Sequence, residues 1–224
     1  MPASALETIT PHPTLPDVVK LALKRRIVNN EIPAGARLVE ASLAAELGVS
    51  RTTLRAALRE LRNDGLVEIV PRRGCFVARM SPDEIDDVCF ARYVLEAGAA
   101  CEAGARFDDA RLAELEQELD AMAEAASAGD AAAVVESDTR FHSLITRSGG
   151  RRQVAELWHS LDGKMGSLMR SSLEHQGIAL DDTVTLHQTL LSALRTAQRD
   201  TIEQAIRAHY LEPRISDLTR KAAR

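Results

Sequence analysis

Apolar residues recur at helical spacing along most of the chain. After an N-terminal arm over residues 1–16, which has four prolines and is expected to be flexible, the pattern predicts a helix from residue 17 to about residue 30. Its apolar positions are Val18, Leu21, Leu23 and Ile27. Two more helices are predicted, a compact one that ends at Gly48 and one that begins after Ser50, whose side chain is placed to cap the first turn. Their apolar positions are Leu43, Ala44 and Leu47, then Leu54, Ala57, Leu58 and Leu61.

The spacing of apolar residues changes from helical to strand-like after the third helix. Residues 66–70 and 75–77 are β-prone and flank the turn Pro71-Arg72-Arg73-Gly74, which predicts a hairpin. Leu38 and Val39 predict a short extended piece ahead of the second helix. A helix, a helix–turn–helix and a two-stranded wing together predict a winged helix–turn–helix domain over residues 17–80.

The remaining residues, 81–224, are helical in pattern and carry no strand signal. The segment Ser81-Pro82-Asp83-Glu84 offers an N-cap, a proline at the first helical position and an acid three residues after the cap, which indicates a domain boundary near Met80. Six helices are predicted, over residues 83–105, 109–127, 130–147, 151–174, 181–198 and 200–221. The predicted fold class is mainly α: an N-terminal winged helix–turn–helix and a C-terminal all-α six-helix bundle.

Composition and charge narrow the function. The 224 residues carry a net charge of −5, but residues 1–80 hold 12 Lys and Arg against 8 acids, so their charge is +4 and that of residues 81–224 is −9. This asymmetry is typical of a nucleic-acid-binding head on an acidic body, although two ordinary surfaces would also produce it. Three cysteines without short paired spacing favour a reducing, cytoplasmic compartment. No apolar run of about 18 residues occurs, so we expect no membrane partner.

The start of the third helix carries side chains suited to DNA. In a helix–turn–helix the second helix enters the major groove and presents its N-terminal residues to the base edges. These residues are Ser50, Arg51, Thr52, Thr53 and Arg55. Arginine can pair with the O6 and N7 acceptors of guanine, and Ser and Thr can fix phosphates. Arg72 and Arg73, which precede Gly74, would bring the wing to the DNA backbone or minor groove, although a single arginine is more often a solvated charge.

These residues belong to a longer pattern that resembles the N-terminal signature of GntR-family transcription regulators. The pattern consists of Gly35-Ala36-Arg37-Leu38-Val39-Glu40-Ala41-Ser42-Leu43-Ala44, residues 47–58, Leu61, Gly65-Leu66-Val67 and the wing turn. The resemblance covers about residues 18–79 and implies that Arg51 and Arg55 contact bases or phosphates, with support from Ser50, Thr52, Thr53 and Gly74. Fatty-acid-responsive members carry an arginine after the glutamate matched by Glu40, where this chain has Ala41, so their operator is not expected here.

Three of the six histidines have positions suited to metal binding. Asp138 and His142 are four residues apart on one predicted helix, His187 lies near the start of the fifth bundle helix and His209 lies in the last helix. Three imidazoles and a carboxylate that meet inside a bundle suit a divalent first-row metal. The alternative is an interior Asp138–His142 pair with His187 and His209 elsewhere, and the spacing alone leaves both interpretations open.

The C-terminal part resembles the FadR C-terminal domain known as FCD. The resemblance rests on residues 85–105, with Arg92, Leu95, Glu96 and Ala99-Ala100, and on Asp138–His142, His187–Leu194 and Asp200–His209. It implies that Asp138, His142, His187 and His209 bind a metal, with zinc favoured over nickel or manganese. Arg92 matches an inward-facing family arginine and is a candidate to pair with an effector carboxylate, the alternative being a surface salt bridge with Glu96. Tyr210 replaces the usual leucine after the last histidine.

The two resemblances imply a metabolite-responsive transcription regulator. Family members act as homodimers on pseudo-palindromic operators in double-stranded DNA, usually as repressors, and sense small organic acids such as lactate, citrate, sugar acids or fatty acyl thioesters. One alternative is a constitutive DNA-binding regulator whose metal is purely structural. A metal-dependent hydrolase is the other, but the chain has no nucleophile motif and no glycine-rich phosphate loop, so we expect no enzyme.

Overall fold

The N-terminal part of the chain forms a small helical domain with a three-stranded sheet. In the computed structural model, which describes residues 13–103, 107–161 and 180–211, its elements are α1 (Leu15–Val28), β1 (Arg37–Leu38), α2 (Glu40–Glu46), α3 (Arg51–Asn63), β2 (Val67–Val70) and β3 (Gly74–Val77). The sheet is antiparallel with β3 in its centre, between β1 and β2. Helices α2 and α3 form the helix–turn–helix, and β2 and β3 form the wing.

Helices α1 and α3 share one apolar cluster. On α3 the buried residues recur at three- and four-residue spacing, as predicted: Leu54, Ala57, Leu58 and Leu61. On α1 the buried row is Val19, Leu23 and Ile27, one turn apart. The predicted helix is present, but of its four apolar positions only Leu23 and Ile27 are buried, while Val18 and Leu21 are 52% and 50% exposed because the row that begins at Val19 occupies the inner face.

The wing turn is built on left-handed backbone. In the hairpin Val67 pairs with Val77, and Val70 pairs with Gly74. Arg72 has φ +63° and Gly74 has φ +115°, a value that only glycine adopts without strain. A Cβ on Gly74 would also lie 3.4 Å from Nε of the Arg37 side chain. The turn therefore projects the side chains of residues 71–73 into solvent.

The C-terminal part is helical throughout its described residues. Its helices are α4 (Pro82–Ala103), α5 (Asp109–Ser127), α6 (Ala131–Ser148), α7 (Arg152–His159), α8 (Leu180–Arg195) and α9 (Arg199–Leu211). The predicted capping box opens α4, since the Ser81 amide donates to Glu84 at 2.8 Å and the Glu84 amide donates to the Ser81 hydroxyl at 3.3 Å. None of the described helices is long and apolar enough to cross a membrane.

Two predicted boundaries in the bundle are wrong. The helix predicted over 151–174 ends at His159, where Ser160 and Leu161 form a turn, and the rest of that prediction lies outside the described residues. The break predicted at Arg199-Asp200 falls instead at 196–198, because Ala197 is left-handed with φ +54° and Thr196 Oγ1 accepts the Gln198 amide at 3.2 Å. Residues 1–12, 104–106 and 212–224 of the other predicted segments also lie outside the described residues.

The two parts of the chain bury separate cores and touch through α1 and α6. One core lies among α1, α2, α3 and the sheet, and the other among the helices of the C-terminal part. Between them, Asn29 Oδ1 accepts the backbone amide of Ala132 at 2.9 Å, and Arg25 pairs with Asp130. A small apolar cluster completes the contact: Val28, Ala132 and Val135. The N-terminal domain, or head, is thus docked on the N-terminus of α6.

Candidate nucleic-acid interface and metal centre

The N-terminus of α3 is ordered by a side-chain cap and faces solvent. Ser50 Oγ accepts the backbone amide of Thr53 at 3.0 Å and lies 2.9 Å from the Thr53 hydroxyl. Arg51 and Thr52 are exposed on the first turn. The free amides of this turn and the positive end of the helix dipole suit a phosphate group, and the neighbouring guanidinium suits a base edge.

The other basic candidates for DNA contact are Arg55 and the two wing arginines. Arg55 Nε donates to Glu40 Oε2 at 2.7 Å, so the first residue of α2 holds the Arg55 side chain in place. Arg72 and Arg73 are exposed in the wing turn, ahead of Gly74. An exposed ion pair of this kind is worth about 0–1 kcal/mol, which a phosphate or base contact can exceed.

Four residues of the bundle meet in one cluster. Asp138 and His142 lie one turn apart on α6, His187 lies on α8 and His209 lies on α9. One donor atom from each residue lies within 4.8 Å of those of the other three. Asp138, His142 and His187 are buried, and His209 is partly exposed with a buried Nδ1. The alternative that His187 and His209 lie elsewhere is therefore wrong.

Donor separations in the cluster fit a single cation. His142 Nε2 lies 3.2 Å from His187 Nε2, and Asp138 Oδ1 lies 3.1 Å from His187 Nε2 and 3.8 Å from His142 Nε2. Two ligands of one tetrahedral zinc ion, each bound at about 2.1 Å, are about 3.4 Å apart. Asp138 Oδ2 and His209 Nδ1 are buried and have no hydrogen-bond partner among the described residues. Buried polar atoms without a partner are costly, and a cation would satisfy the carboxylate and imidazole donors of this set.

The outer nitrogens of two histidines are held by acceptors. His142 Nδ1 donates to Glu96 Oε1 at 2.8 Å, and His187 Nδ1 donates to the Thr183 carbonyl at 2.8 Å. A proton on Nδ1 leaves Nε2 as the atom of each ring that can face a cation. The two Nε2 atoms lie 3.2 Å apart, a separation that suits two ligands of one ion. The described residues thus form a His/Asp cluster that could hold a metal ion.

The protonation states of Asp138 and His209 are those that metal binding requires. Although burial opposes the charged form, the hydrogen bond from His187 and the charge of His142 hold the pKa of Asp138 well below its usual value. Burial and the neighbouring charges of His187 and His142 hold the pKa of His209 well below its usual value, so its ring is neutral. A carboxylate and neutral imidazoles are the forms that bind divalent cations.

His142 behaves differently from His209. Burial lowers the pKa of His142, but the charge and the hydrogen bond of Glu96, followed by the charge of Asp138, outweigh burial and raise it above its usual value. In the metal-free protein, a proton on His142 Nε2 can occupy the position that a cation would take in the cluster. Metal uptake would then release this proton.

Arg92 lies beside the cluster and is buried. Its guanidinium carbon is 3.9 Å from the centre of the Trp158 ring, and its Nε donates to the Tyr210 hydroxyl at 3.4 Å. Arg92 and Glu96 are each 0% exposed, so the alternative of a surface salt bridge between them is wrong. The inward orientation that the resemblance implied for Arg92 agrees with its burial.

The sequence did not assign a role at the cluster to Glu96 or Tyr210. Tyr210 donates its hydroxyl to Glu96 Oε2 at 2.8 Å and lies 3.3 Å from His142 Nδ1. The available signals were the four-residue spacing of Arg92 and Glu96, which places them on one face of α4, and the tyrosine next to His209. Burial raises the pKa of Tyr210 well above its usual value, so its hydroxyl remains a donor.

Comparisons with known proteins agree with both parts of the fold. Residues 15–77 match the gntR family of bacterial regulatory proteins, and residues 87–212 match the FCD domain. The gluconate operon transcriptional repressor of Bacillus licheniformis is 26% identical over 89% of this chain and 84% of its own length. The transcriptional repressor RspR of Escherichia coli is 27% identical over 89% and 86%. The solved structure of Escherichia coli McbR/YncC superposes with a TM-score of 0.73 at 23% identity, over 93% of this chain and 98% of that one.

A gntR-type winged helix–turn–helix joined to an FCD domain defines a class of bacterial DNA-binding regulators. The chain belongs to the GntR family of bacterial regulatory proteins and carries an FCD domain. It is a DNA-binding transcription regulator and not an enzyme, because its relatives are regulators over most of their lengths. The hydrolase alternative is therefore set aside.

Proposed function

We propose that this protein is a metabolite-responsive repressor that binds a pseudo-palindromic operator as a homodimer and senses a small organic acid at a divalent metal in its helical bundle. The observation that carries the proposal is the convergence of Asp138, His142, His187 and His209, from three helices, at donor separations that suit one cation. We favour zinc, with nickel and manganese as the other outcomes of a metal analysis. Because the protein binds DNA, we place it in the cytoplasm.

DNA recognition is assigned to α3 and the wing. Arg51 and Arg55 would read bases or phosphates, with Ser50, Thr52 and Thr53 on the backbone and Arg72, Arg73 and Gly74 in the wing. This assignment is supported by the exposure of six of these residues: Ser50, Arg51, Thr52, Arg55, Arg72 and Arg73. In gel shifts, Arg51→Ala should abolish operator binding while its metal content remains that of the wild type. Unaffected gel shifts would refute the assignment.

A homodimer would set two heads on the two half-sites of the operator. The apolar side chains of Phe90 and Val94, one turn apart on α4, are 57% and 49% exposed and support contact with a second copy. The mass in solution, measured by light scattering, should be twice that of the chain. A monomeric mass at micromolar concentration would contradict this part of the proposal.

An organic acid is the proposed effector. A divalent ion held by four protein side chains can keep positions open for the oxygens of a carboxylate. Arg92 would pair with that carboxylate, because its guanidinium is buried beside the cluster against Trp158. The relative from Bacillus licheniformis is a repressor of a gluconate operon, and gluconate is a sugar acid, which supports this class of ligand.

Helix α6 offers a direct route from the proposed metal centre to the head. Asp138 and His142 lie in its middle, and Asn29 of the head caps its N-terminus. A ligand that displaces α6 would therefore also change the orientation of the head. Coupling free energies between two such sites are typically about 1–3 kcal/mol.

The second candidate function is a constitutive regulator with a structural metal. It is favoured by the fact that the cluster ties α6, α8 and α9 together. A thermal-shift screen of organic acids on the metal-loaded and metal-free protein separates the two. The sensor requires at least one acid that raises the melting temperature only when metal is bound. If no acid in a broad carboxylate panel does so, the constitutive regulator is the better description.

A further inference from the structure

Glu96 occupies an unusual place for a charged side chain. It is 0% exposed, yet it lies on α4, a helix that contributes no residue to the His/Asp cluster. Carboxylates are rarely buried in full unless they are paired or hydrogen-bonded. The contacts of Glu96 therefore indicate what its burial serves.

Both carboxylate oxygens of Glu96 are engaged at the cluster. Oε1 accepts from His142 Nδ1 at 2.8 Å, and Oε2 accepts from the Tyr210 hydroxyl at 2.8 Å. Tyr210 in turn accepts from Arg92 Nε at 3.4 Å. The carboxylate is thus held from two sides, and its orientation toward the histidine ring is determined by the tyrosine.

We infer that Glu96 is a positioning residue of the metal centre, held by Tyr210, that keeps the proton of His142 on Nδ1 and the lone pair of Nε2 toward the cation. The inference rests on the proposed function, since it concerns the same centre. A histidine ligand needs a hydrogen-bond acceptor at its other nitrogen to hold its tautomer and ring orientation and to make it more basic. For His187 this acceptor is the backbone carbonyl of Thr183, whereas for His142 it is the side chain of Glu96.

The test uses full-length protein stripped with EDTA and titrated with cobalt, whose visible absorption reports the ligand field. Glu96→Gln keeps the size of the side chain but removes its charge and one acceptor oxygen. Loss of such an outer contact typically weakens metal binding about 10–100-fold, and we expect this loss in cobalt affinity together with an altered cobalt spectrum.

Tyr210→Phe provides a second variant that removes a single oxygen atom. One hydrogen bond of ordinary strength corresponds to a loss of about fivefold in cobalt affinity. The matched control is Tyr93→Phe, which removes the hydroxyl that donates to Glu203 at 3.5 Å, an exposed contact between the same two helices, α4 and α9. This control should bind cobalt as the wild type does.

The outcomes separate positioning from a merely structural role. A structural role would lower the melting temperature of the metal-free variants and leave their cobalt affinity and spectrum unchanged, and this result would overturn the inference. Unchanged or tighter cobalt binding by Glu96→Gln would overturn it as well. A wild-type protein that takes up no cobalt would overturn the metal centre itself, and the inference with it.

Discussion

Asn29 of the DNA-binding head caps the helix that carries Asp138 and His142. Its Oδ1 accepts the backbone amide of Ala132 at 2.9 Å, and the N-cap residue Asp130 accepts the next amide, that of Ala133, at 3.1 Å. The first turn of a helix leaves its amides without partners inside the helix. Here Asn29, which belongs to the head, supplies one of the missing acceptors, so the head completes the N-terminal cap of α6.

Replacement of this cap should destabilise the protein. Asn29→Ala leaves the Ala132 amide without its acceptor, and loss of a helix cap costs about 1 kcal/mol. The control is Asn63→Ala, which replaces an exposed asparagine at the end of α3 and should leave the stability nearly unchanged. Urea unfolding of both variants and of the wild type measures the change in the free energy of unfolding. Equal unfolding free energies for all three proteins would show that the cap contributes nothing.

Metal should stabilise the wild-type protein but not a variant without His187. A ligand at about 100 times its dissociation constant stabilises a folded protein by about 2.7 kcal/mol. His187→Ala removes the ligand that lies closest to both Asp138 and His142 and should abolish the zinc-induced rise in melting temperature. His159→Ala, on an exposed position of α7, should retain it. A full zinc response in His187→Ala would contradict the proposed metal centre.

Metal-free protein should lose stability as the pH falls below about 6.5. The folded-state pKa of His209 lies well below its usual value because of burial and the charges of His187 and His142. The unfolded chain has an ordinary histidine pKa of about 6.5, so it takes up the proton first. The stabilising contribution of His209 is therefore complete above that pH and is lost as the pH falls toward the folded-state pKa.

The variant His209→Gln isolates this effect. Urea unfolding in EDTA between about pH 6.5 and pH 5 should show a smaller loss of stability for the variant than for the wild type. His142 does not mask the effect, because its pKa is raised and its contribution changes only as the pH rises above about 6.5. Parallel acid profiles for the two proteins would contradict the prediction.

The wing should contribute to the salt dependence of DNA binding. Each phosphate contact with a lysine or arginine contributes about 0.9 to the slope of log K against log salt. Arg73→Gln should therefore lower this slope by about 1 on any DNA sequence. Arg152→Gln, a side chain 84% exposed on α7 and far along the chain from the head, is the control. A slope that does not change in Arg73→Gln would exclude this wing residue from the phosphate contacts.

The sequence by itself determined the local elements where periodicity, caps and glycines agree. The apolar row of α3, the Ser50 cap and the wing turn with Gly74 are all short-range features, and each was predicted. The inner face of α1 was not determined by the sequence, because two adjacent valines fit the helical period equally well, and Val19 is buried while Val18 is exposed. Only packing against α3 selects Val19 over Val18.

The candidate metal set was identified from the sequence only with the help of the family resemblance. Asp138 and His142 share a helical face, but nothing local relates them to His187 and His209, 45 and 67 residues beyond His142. The tertiary structure decided that these side chains meet, and that α4 supplies the buried Glu96 and Arg92 beside them. It also decided that Asn29 caps α6. The reason is physical: local propensity arises from neighbours in the chain, whereas a buried polar site is created by long-range packing that removes water from all its members at once.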